Sequence, residues 1–490
     1  MSRYLMIDFG STFTKLTAVD TEKEDIIATA SSFTTVATDI TIGYEKALAS
    51  LYEKLGEKVK FDKIIGCSSA AGGLKMCAIG LVDELTVEAA KRVCLGAGAK
   101  VDLAFSHHLT KHNIQQIIDK KIDIILLSGG TDGGNSECVL YNQRMLAEAG
   151  ITIPVIYAGN KDCQDEIMEI ANEYHMTEYV CQNVMPRLNV LNIPDAREKI
   201  REIFLKNIIE AKGIKKIEKE IDKVILPTPE SVLQAAELLS KGYMHEPGLG
   251  EIVLVDIGGA TTDMYSMCSP SAKRSDVILK GLEEPYAKRT VEGDLGMRYS
   301  ALGVLESLTK EEVRMIDEDE GVDLEKELTY RHEHVDTVPN NEHEVHIDRI
   351  MGRICVDKAM ERHVGHMEEM YTPMGMVYNQ YGKDLSRVRY VIGTGGVLIH
   401  NADPYQILKA VEYTTKKPLE LRPVNPKYLL DADYILAAMG LLSQIDPAMA
   451  LKIMKKHMMP VQKDDDGSNK QGLPELELKK VGSCGCGCGC

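Results

Sequence analysis

The fold is decided near the amino terminus by the stretch MIDFGSTFTK, residues 6–15. An apolar run ends at Asp8, a turn follows at Gly10, Ser11 and Thr12, and a second run includes Lys15. Glycine lets the backbone turn tightly and present its N–H groups to an anion, and hydroxyl side chains add donors. A single turn of this kind is more often a plain β-hairpin than a binding site.

Two further glycine-rich turns strengthen the signal, because each also follows an apolar run. LVDIGGATTD, residues 254–263, repeats the pattern with Asp256, and YVIGTGGVL, residues 390–398, carries Gly395 and Gly396. Aspartates at the ends of two strands suit Mg2+, which binds few carboxylates and keeps several waters. The sequence contains no GxxxxGK[ST] stretch and no GxGxxG stretch in the form that a dinucleotide-binding fold requires. The three turns therefore predict a phosphate-binding cleft between two similar lobes.

The composition predicts a globular protein of ordinary character. Hydrophobic residues make up 44% and charged residues 27% of the 490 residues, which is enough chain for several domain-sized units. A net charge of -17 argues against a nucleic-acid partner, because phosphate backbones are bound by concentrated basic surfaces. We see no long apolar window and no signal-peptide core, so we expect a cytoplasmic protein without a membrane segment.

The pattern of strands and helices predicts an α/β fold in four regions. Residues 1–100 form a first lobe, and residues 101–249 form an inserted parallel α/β subdomain, in which strands alternate with helices roughly every 25 to 30 residues. Residues 250–460 form a second lobe whose last helix returns to the first, and residues 461–490 form a disordered acidic and Cys/Gly tail. The polar stretch 317–346 predicts an excursion over the surface of the second lobe.

Two glycine-rich segments leave alternatives open. SGGTDGGN, residues 128–135, is either a tight strand-to-helix turn or a further phosphate contact or hinge. At the C-terminal end, alternating cysteines suit a soft metal or remain a flexible thiol-bearing tail; they are Cys484, Cys486, Cys488 and Cys490. The other eight cysteines lack paired metal spacing and predict free buried thiols.

In this order, the three turns resemble the phosphate-1, phosphate-2 and adenosine motifs of the actin, sugar-kinase and heat-shock-70 superfamily. The resemblance implies an actin-like, ribonuclease H-like fold that binds Mg-ATP between two lobes. It implies that Asp8 and Asp256 organise Mg2+ and the attacking water and that Lys15 contacts the phosphates. The remaining cofactor-binding residues that it implies are Gly10, Ser11, Thr12, Gly258, Gly259, Thr261, Thr262, Glu292, Gly293, Gly395 and Gly396.

A narrower resemblance covers nearly the whole chain up to about Pro460. The stretches DFGSTFTK, CSSAAGGL, SGGTDGGN, VDIGGATTD, TVEGDLGMR and GTGGVLI resemble the accessory proteins encoded with adenosylcobalamin-dependent glutamate (methylaspartate) mutase. This implies an ATP-dependent reactivating chaperone whose partners are the mutase subunits and which promotes exchange of damaged cobalamin. The chain lacks the DxHxxG cobalamin motif, so we do not expect it to hold cobalamin through a histidine. An iron–sulfur ATPase activator of a radical dehydratase, a small-molecule kinase of the same superfold and a filament-forming cytoskeletal protein are the alternatives.

Overall fold

The computed structural model describes residues 2–10, 13–34, 40–69, 74–211, 222–373 and 375–462. Within them the strands are β1 (Arg3–Phe9), β2 (Phe13–Asp20), β3 (Asp25–Phe33), β4 (Lys63–Ser68), β5 (Lys75–Gly80), β6 (Lys100–Ser106), β7 (Ile124–Leu127), β8 (Val155–Tyr157), β9 (Glu178–Val180), β10 (Lys223–Pro227), β11 (Gly242–Tyr243), β12 (Glu246–Pro247), β13 (Ile252–Ile257), β14 (Thr262–Met267), β15 (Val277–Lys280), β16 (Ala287–Glu292), β17 (His366–Thr372), β18 (Gly375–Tyr381), β19 (Tyr390–Thr394), β20 (Lys427–Leu430) and β21 (Met459–Val461). The α-helices are α1 (Ile40–Leu55), α2 (Glu88–Gly96), α3 (Lys111–Asp119), α4 (Glu137–Glu148), α5 (Gln164–Glu173), α6 (Pro194–Ala211), α7 (Thr228–Lys241), α8 (Ala301–Glu306), α9 (Lys310–Glu320), α10 (Leu324–Glu333), α11 (Glu342–His363), α12 (Gly396–Ile399), α13 (Tyr405–Leu408), α14 (Leu436–Ser443) and α15 (Pro447–His457).

The first sheet has the strand order β10-β4-β1-β2-β3. β1, β2 and β3 are successive antiparallel neighbours, whereas β4 lies parallel to β1 and β10 lies parallel to β4. The residues from Leu5 to Phe9 are all buried, as expected of a central strand that is covered on both faces. Tyr44, Ala47 and Leu51 of α1 belong to the same buried core as this strand.

The second sheet repeats this arrangement with the order β16-β14-β13-β19-β20-β21. β13, β14 and β16 are again antiparallel neighbours, and β19 and β20 again follow in parallel on the other side of β13. The short β21 is added antiparallel to β20. Because the two sheets share the same order of strands, they confirm the predicted two-lobed α/β fold of the actin-like class.

A third sheet is inserted between β4 and β10. Its order is β6-β5-β7-β8-β9, and all its strand pairs are parallel, which confirms the inserted parallel α/β subdomain. β5 pairs within this sheet, although residues 75–80 fall within the predicted first lobe, and β10 pairs with the first sheet, although residues 223–227 fall within the predicted insertion. The division at residues 100 and 249 stays a prediction, and strand pairing favours an earlier position for both boundaries.

Two helices join the lobes. α7 follows β10 of the first sheet, α14 follows β20 of the second, and they cross at Ser231 and Gly440. The Ser231 hydroxyl donates to the Ala437 carbonyl at 2.7 Å, and any side chain at Gly440 would collide with the Ser231 carbonyl. A core of residues from both sheets and both helices surrounds this crossing. The two lobes are therefore packed together at this crossing.

The remaining elements lie around the second lobe. β15, β18 and β17 form a small three-stranded sheet, and β11 and β12 form a short hairpin. α9, α10 and the first part of α11 occupy the polar stretch that predicts a surface excursion. None of the helices within the described residues combines the length and apolar character needed to cross a membrane.

Candidate functional site

The cleft is built on two hairpins with the same turn. In the first lobe the Gly10 N–H donates to the Phe13 carbonyl at 3.1 Å, and in the second the Gly258 N–H donates to the Thr261 carbonyl at 2.9 Å. Two residues before each glycine stands an aspartate, Asp8 or Asp256. Both aspartates therefore lie at the carboxyl end of the central strand of their sheet, where ligands of α/β folds usually bind.

Asp8 is buried among polar groups of three neighbouring strands. It faces Lys15 across the hairpin, and at the end of β4 the Cys67 thiol donates to its Oδ1 at 3.6 Å. Thr228, which follows β10, donates its hydroxyl to the same oxygen at 2.6 Å. Burial raises the pKa of Asp8, and the positive charge of Lys15 and these two donors oppose that shift. Asp8 is thus held in one position by the first lobe.

Asp256 is the corresponding carboxylate of the second lobe. Burial and the negative charge of Asp263, its neighbour across the hairpin, raise its pKa to about 7, while Lys15 lowers it. Asp8 also raises the pKa of Asp256, so charges from the first lobe act directly on the second. The two hairpins therefore face one cleft.

Lys15 makes the direct contact across this cleft. Its Nζ lies 3.7 Å from the centre of the Tyr434 ring, which belongs to the loop between β20 and α14 of the second lobe. The ammonium contacts the second lobe there and is close enough to both carboxylates to lower their pKa values. A cation at this point is suited to phosphoryl oxygens.

The third glycine turn completes the wall of the second lobe. Gly395 has φ of 108°, and a side chain there would collide with the Ile257 carbonyl beside Asp256. Thr394 pairs in register with Asp256 and donates its hydroxyl to Asp431 at 3.3 Å. Asp431 is buried, and burial raises its pKa. The third turn thus lies directly against the hairpin that carries Asp256. The resemblance to the superfamily implies that the adenosine binds at this third turn.

Several residues that the sequence assigns to the cofactor make other contacts. The Thr262 hydroxyl donates to the Leu295 carbonyl at 2.8 Å, and Glu292 accepts from Arg362 at 2.8 Å. Gly293 lies against the side chain of Lys100. Their assignment to the nucleotide stays a prediction, as do the assignments of Gly258, Gly259, Thr261 and Gly396 on the cleft side. Ser11 and Thr12 lie outside the described residues.

Three residues of the cleft were missed by sequence reasoning. Asp431 stands directly after the apolar strand β20, as Asp8 and Asp256 stand at the ends of theirs, so a search for this pattern would have found it. Tyr434 follows three residues later. Thr228 carries no comparable signal, since it reaches Asp8 only because β10 returns to the first sheet.

The donor set suits a hard divalent cation that is shared with a ligand. Asp8 and Asp256 are oxygen donors whose pKa values are raised mainly by burial, and the charge of Lys15 opposes that shift only in part. Mg2+ binds through one or two carboxylates, waters and substrate phosphates rather than through a full protein cage. The described residues contain no group of three or more His, Cys, Asp or Glu arranged to hold a metal by themselves. The tail cysteines Cys484, Cys486, Cys488 and Cys490 lie outside the described residues.

A polar cavity of about 180 Å³ lies between α11 and the chain that follows the third turn. The Nε of Arg349 is buried there without a hydrogen-bond partner among the described residues. The lining residues are Glu320, His346, Arg349, Ile350, Arg353, Asp403 and Gln406. A guanidinium beside a polar cavity is suited to a ligand with acceptor atoms.

Comparison with known proteins identifies the family. The family model described as MutL protein matches residues 4–458. "Protein MutL" of Clostridium tetanomorphum is 51% identical over 462 residues, which cover 94% of this chain and 100% of that protein.

Solved structures give more distant likenesses. Nucleotide-free acetone carboxylase is 12% identical with a TM-score of 0.35, covering 89% of this chain and 69% of its own. The nucleotide-free diol dehydratase-reactivating factor is 9% identical with a TM-score of 0.35, covering 91% of this chain and 99% of that one. A xylulose kinase from Lactobacillus acidophilus is 10% identical with a TM-score of 0.34, covering 94% and 93%. The strand order of the two lobes, and not these likenesses, establishes the fold class. The family match over residues 4–458 and the 51% identical relative show that this chain belongs to the MutL protein family.

Proposed function

We propose that this protein is an ATPase that binds Mg-ATP between its two lobes and uses hydrolysis to change their arrangement. The observation that carries the proposal is the meeting of Asp8, Lys15 and Asp256 at one cleft, although Asp256 lies far from the other two along the chain. Two carboxylates and one ammonium in a half-buried cleft form a site for a metal-bound polyphosphate. Hydrolysis of a phosphoanhydride requires little covalent chemistry from the protein beyond such positioning.

In this proposal each lobe contributes part of the site. Asp8 and Asp256 would hold Mg2+, which neutralises charge on the phosphates when it is bound. Lys15, Thr12 and the turn at Gly10 would hold the phosphates from the first lobe, and Thr261 with the turn at Gly258 would hold them from the second. Loss of the γ-phosphate removes contacts to both lobes at once, as in other nucleotide switches. The lobes would then move about the crossing of α7 and α14.

The polar cavity beside α11 is the proposed position of the nucleoside. Guanidinium planes stack on bases and donate to ribose and base acceptors, so Arg349 would contact this end of ATP. Replacing Arg349 by alanine is then expected to raise the KM for ATP while inorganic triphosphate binds as before. An unchanged KM for ATP would place the cavity outside the nucleotide site, and equal losses for both ligands would show that Arg349 does not act on the nucleoside.

The partner that we propose is an adenosylcobalamin-dependent mutase, with glutamate mutase as the first candidate. Membership of the MutL protein family supports this, because the sequence resembles the accessory proteins encoded with that enzyme. The inserted subdomain is the proposed gripping surface. Its α2 already contacts the second lobe, since Arg92 donates to the Glu283 carbonyl at 2.7 Å and to Glu284 at 3.0 Å. Movement of the second lobe would therefore be passed to the insertion, which would loosen the mutase so that damaged cobalamin leaves.

The experiment that tests the proposal combines hydrolysis with cofactor exchange. A mutase that has been inactivated with a damaged cobalamin is incubated with this protein, free adenosylcobalamin and either ATP or a non-hydrolysable analogue. We expect mutase activity to return with ATP only, and an Asp8→Ala variant to lose about 100- to 1000-fold in hydrolysis. The matched control is Asp319→Ala, at an exposed aspartate on α9. Normal hydrolysis by Asp8→Ala would contradict the site, and hydrolysis without reactivation would contradict the partner.

The same preparation separates the alternatives. Transfer of phosphate from ATP to a sugar or acid, in place of hydrolysis, would identify a small-molecule kinase. A brown protein that accepts one electron would identify an iron–sulfur activator. ATP-dependent light scattering would identify a filament.

A further inference from the structure

Tyr434 occupies a backbone conformation that a bulky residue rarely adopts. It lies between β20 and α14 with φ of 54°, in the left-handed region that Gly, Asn and Asp accept with least strain. Such a conformation costs of order 1–3 kcal/mol and persists only where the surrounding structure requires it. A tyrosine at this position therefore calls for a reason beyond the turn itself.

The surrounding contacts fix the turn firmly. The buried carboxylate of Asp431 accepts from the Ile435 N–H at 2.9 Å and from the Leu436 N–H at 3.3 Å. It also accepts from the Thr394 hydroxyl of the neighbouring strand at 3.3 Å. The Tyr434 N–H donates to the Asp431 carbonyl at 3.4 Å, so the backbone of the turn sets the direction in which the side chain leaves it. The direction that results is into the cleft.

In the cleft the Tyr434 ring meets the ammonium of Lys15. The Nζ lies 3.7 Å from the ring centre, well within the roughly 6 Å range of a cation–π interaction. Lys15 belongs to the first lobe and Tyr434 to the second, so this contact spans the cleft. It also fixes one end of a long side chain that would otherwise lose considerable rotamer freedom on binding phosphate.

We propose that Tyr434 is a positioning residue, whose ring holds the Lys15 ammonium at the place where a polyphosphate binds and thereby couples closure of the lobes to that ligand. This inference rests on the proposed ATP-binding function and adds to it a residue outside the three glycine turns. The ring covers one side of the ammonium and leaves N–H donors for phosphoryl oxygens. The strain at Tyr434 is then the cost of presenting an aromatic face at this point of the cleft.

The contact itself is tested first without nucleotide and then with Mg-ATP. Lysines are dimethylated with 13C-labelled formaldehyde, and the Lys15 signal is identified as the one that Lys15→Arg removes. We expect this signal to lie upfield, because the ring current of Tyr434 shields it, and to remain upfield when Mg-ATP is added. Tyr434→Phe should keep the upfield position, and Tyr434→Leu should abolish it. If the Lys15 signal of the labelled protein without substitutions lies at the ordinary position of a dimethylated lysine, the proposal is overturned.

The role in binding is tested by the dissociation constant for Mg-ATP. Tyr434→Leu is expected to raise it about 2- to 30-fold, the range that corresponds to one cation–π contact, and Tyr434→Phe should restore most of the affinity. Tyr434→Asn is the matched variant, since asparagine tolerates the left-handed conformation better than leucine. It should therefore be more stable to urea than Tyr434→Leu and yet bind Mg-ATP as weakly.

The outcomes separate the two proposals. If the Lys15 signal is upfield but the unmodified protein binds no Mg-ATP, the ATPase proposal fails while the contact stands. If Mg-ATP binds but Tyr434→Leu and Tyr434→Asn bind it as tightly as the unmodified protein, the positioning role fails. If affinity follows stability across the three variants, Tyr434 is merely structural and the proposal also fails.

Discussion

The hairpins of the two lobes share their turn and their place in the sheet, but they differ in the residue opposite the aspartate. Asp8 faces Lys15 in the first lobe, whereas Asp256 faces Asp263 in the second. The second lobe compensates its extra carboxylate with Arg289, whose Nη2 lies 2.6 Å from Asp263. The first lobe leaves its lysine directed toward the cleft. The same scaffold thus places a cation at the cleft in the first lobe and an acid that is paired with an arginine of its own lobe in the second.

Arg289 also ties the second hairpin to the insertion. Its Nη1 donates to the carbonyls of Leu95 at 3.2 Å and Ala99 at 3.1 Å, at the C-terminal end of α2. Lys15 has no comparable link to the insertion among its described contacts, and its described partner across the cleft is the Tyr434 ring. Arg289 is therefore engaged by groups of the protein itself, whereas Lys15 faces the cleft, where the proposed nucleotide would bind.

The largest expected effect comes from removing each cation in turn. Arg289→Gln should destabilise the protein by about 3–5 kcal/mol, because it leaves the buried Asp263 without its ion pair. Lys15→Gln should cost less than about 1 kcal/mol, because the lysine is only partly buried, but it should remove Mg-ATP binding. Urea unfolding measures the loss of stability in both variants. The double variant Arg289→Gln/Asp263→Asn should recover most of the lost stability, and equal losses for Arg289→Gln and Lys15→Gln would contradict the contrast.

Asp256 should make the stability of the protein depend on pH. The pKa of Asp256 is raised from 3.8 to about 7, so its contribution to stability is fully present below pH 4 and is lost as the pH rises through 7. Asp256→Asn should therefore stabilise the protein at pH 8 by roughly 2 kcal/mol, about half the full linkage value, since water reaches the cleft. The gain should vanish near pH 4. A variant that is less stable than the unmodified protein at pH 8 would contradict the charge balance described for this cleft.

Substitutions of two threonines should distinguish an effect on nucleotide affinity from an effect on stability. Thr228→Val removes the donor to Asp8 and should weaken Mg-ATP binding about tenfold, the value for a hydrogen bond to a charged group. Thr262→Val removes a donor to the Leu295 carbonyl and should lower the unfolding free energy by about 1 kcal/mol with little change in affinity. Calorimetric titration and urea unfolding of both variants give the comparison. A large loss of affinity in Thr262→Val would restore that residue to the nucleotide site.

The smallest effect concerns a contact between the lobes outside the cleft. His457 lies between Asp25 of the first lobe and Asp433 of the second, at 2.9 Å from each. Burial alone would lower the pKa of His457, but the two carboxylates raise it overall, so its contribution is present below pH 6.5 and is lost as the pH rises through the raised value. His457→Gln should cost up to about 1 kcal/mol at pH 6 and nothing at pH 9. A cost that does not change with pH would show that the imidazole acts by packing alone.

The sequence was sufficient for the fold because its signals are local. Apolar runs that end in aspartate and glycine predict hairpins, and strands that alternate with helices predict the inserted parallel sheet; both are confirmed. The sequence does not show which of the sheets each strand joins. β5 and β10 are equally apolar runs, so the ends of the insertion could not be placed from their composition.

The site was predictable only where its residues share one pattern. Asp8, Asp256 and the glycine turns could be named, whereas the partner of Asp8 could not, because Thr228 lies 220 residues away and meets it only through β10. The sequence also does not show which charged side chains are buried. The polar stretch 317–346 predicts a surface excursion, yet Arg331 within it is fully buried and donates to Asp348 at 2.7 Å. Whether a charged residue is buried depends on a partner that only the folded chain supplies.

The central claim is that Asp8 and Asp256, one from each lobe, share a single metal-bound nucleotide. It is tested most directly by a double-mutant cycle on the affinity for Mn2+ in the presence of ATP, measured by electron paramagnetic resonance for Asp8→Asn, Asp256→Asn and the double variant. If both carboxylates hold one metal, the double variant should bind scarcely more weakly than the worse single variant, with a coupling energy of about 1–3 kcal/mol. Losses that add to within about 0.5 kcal/mol would show that the two side chains act independently, and the shared site would be contradicted.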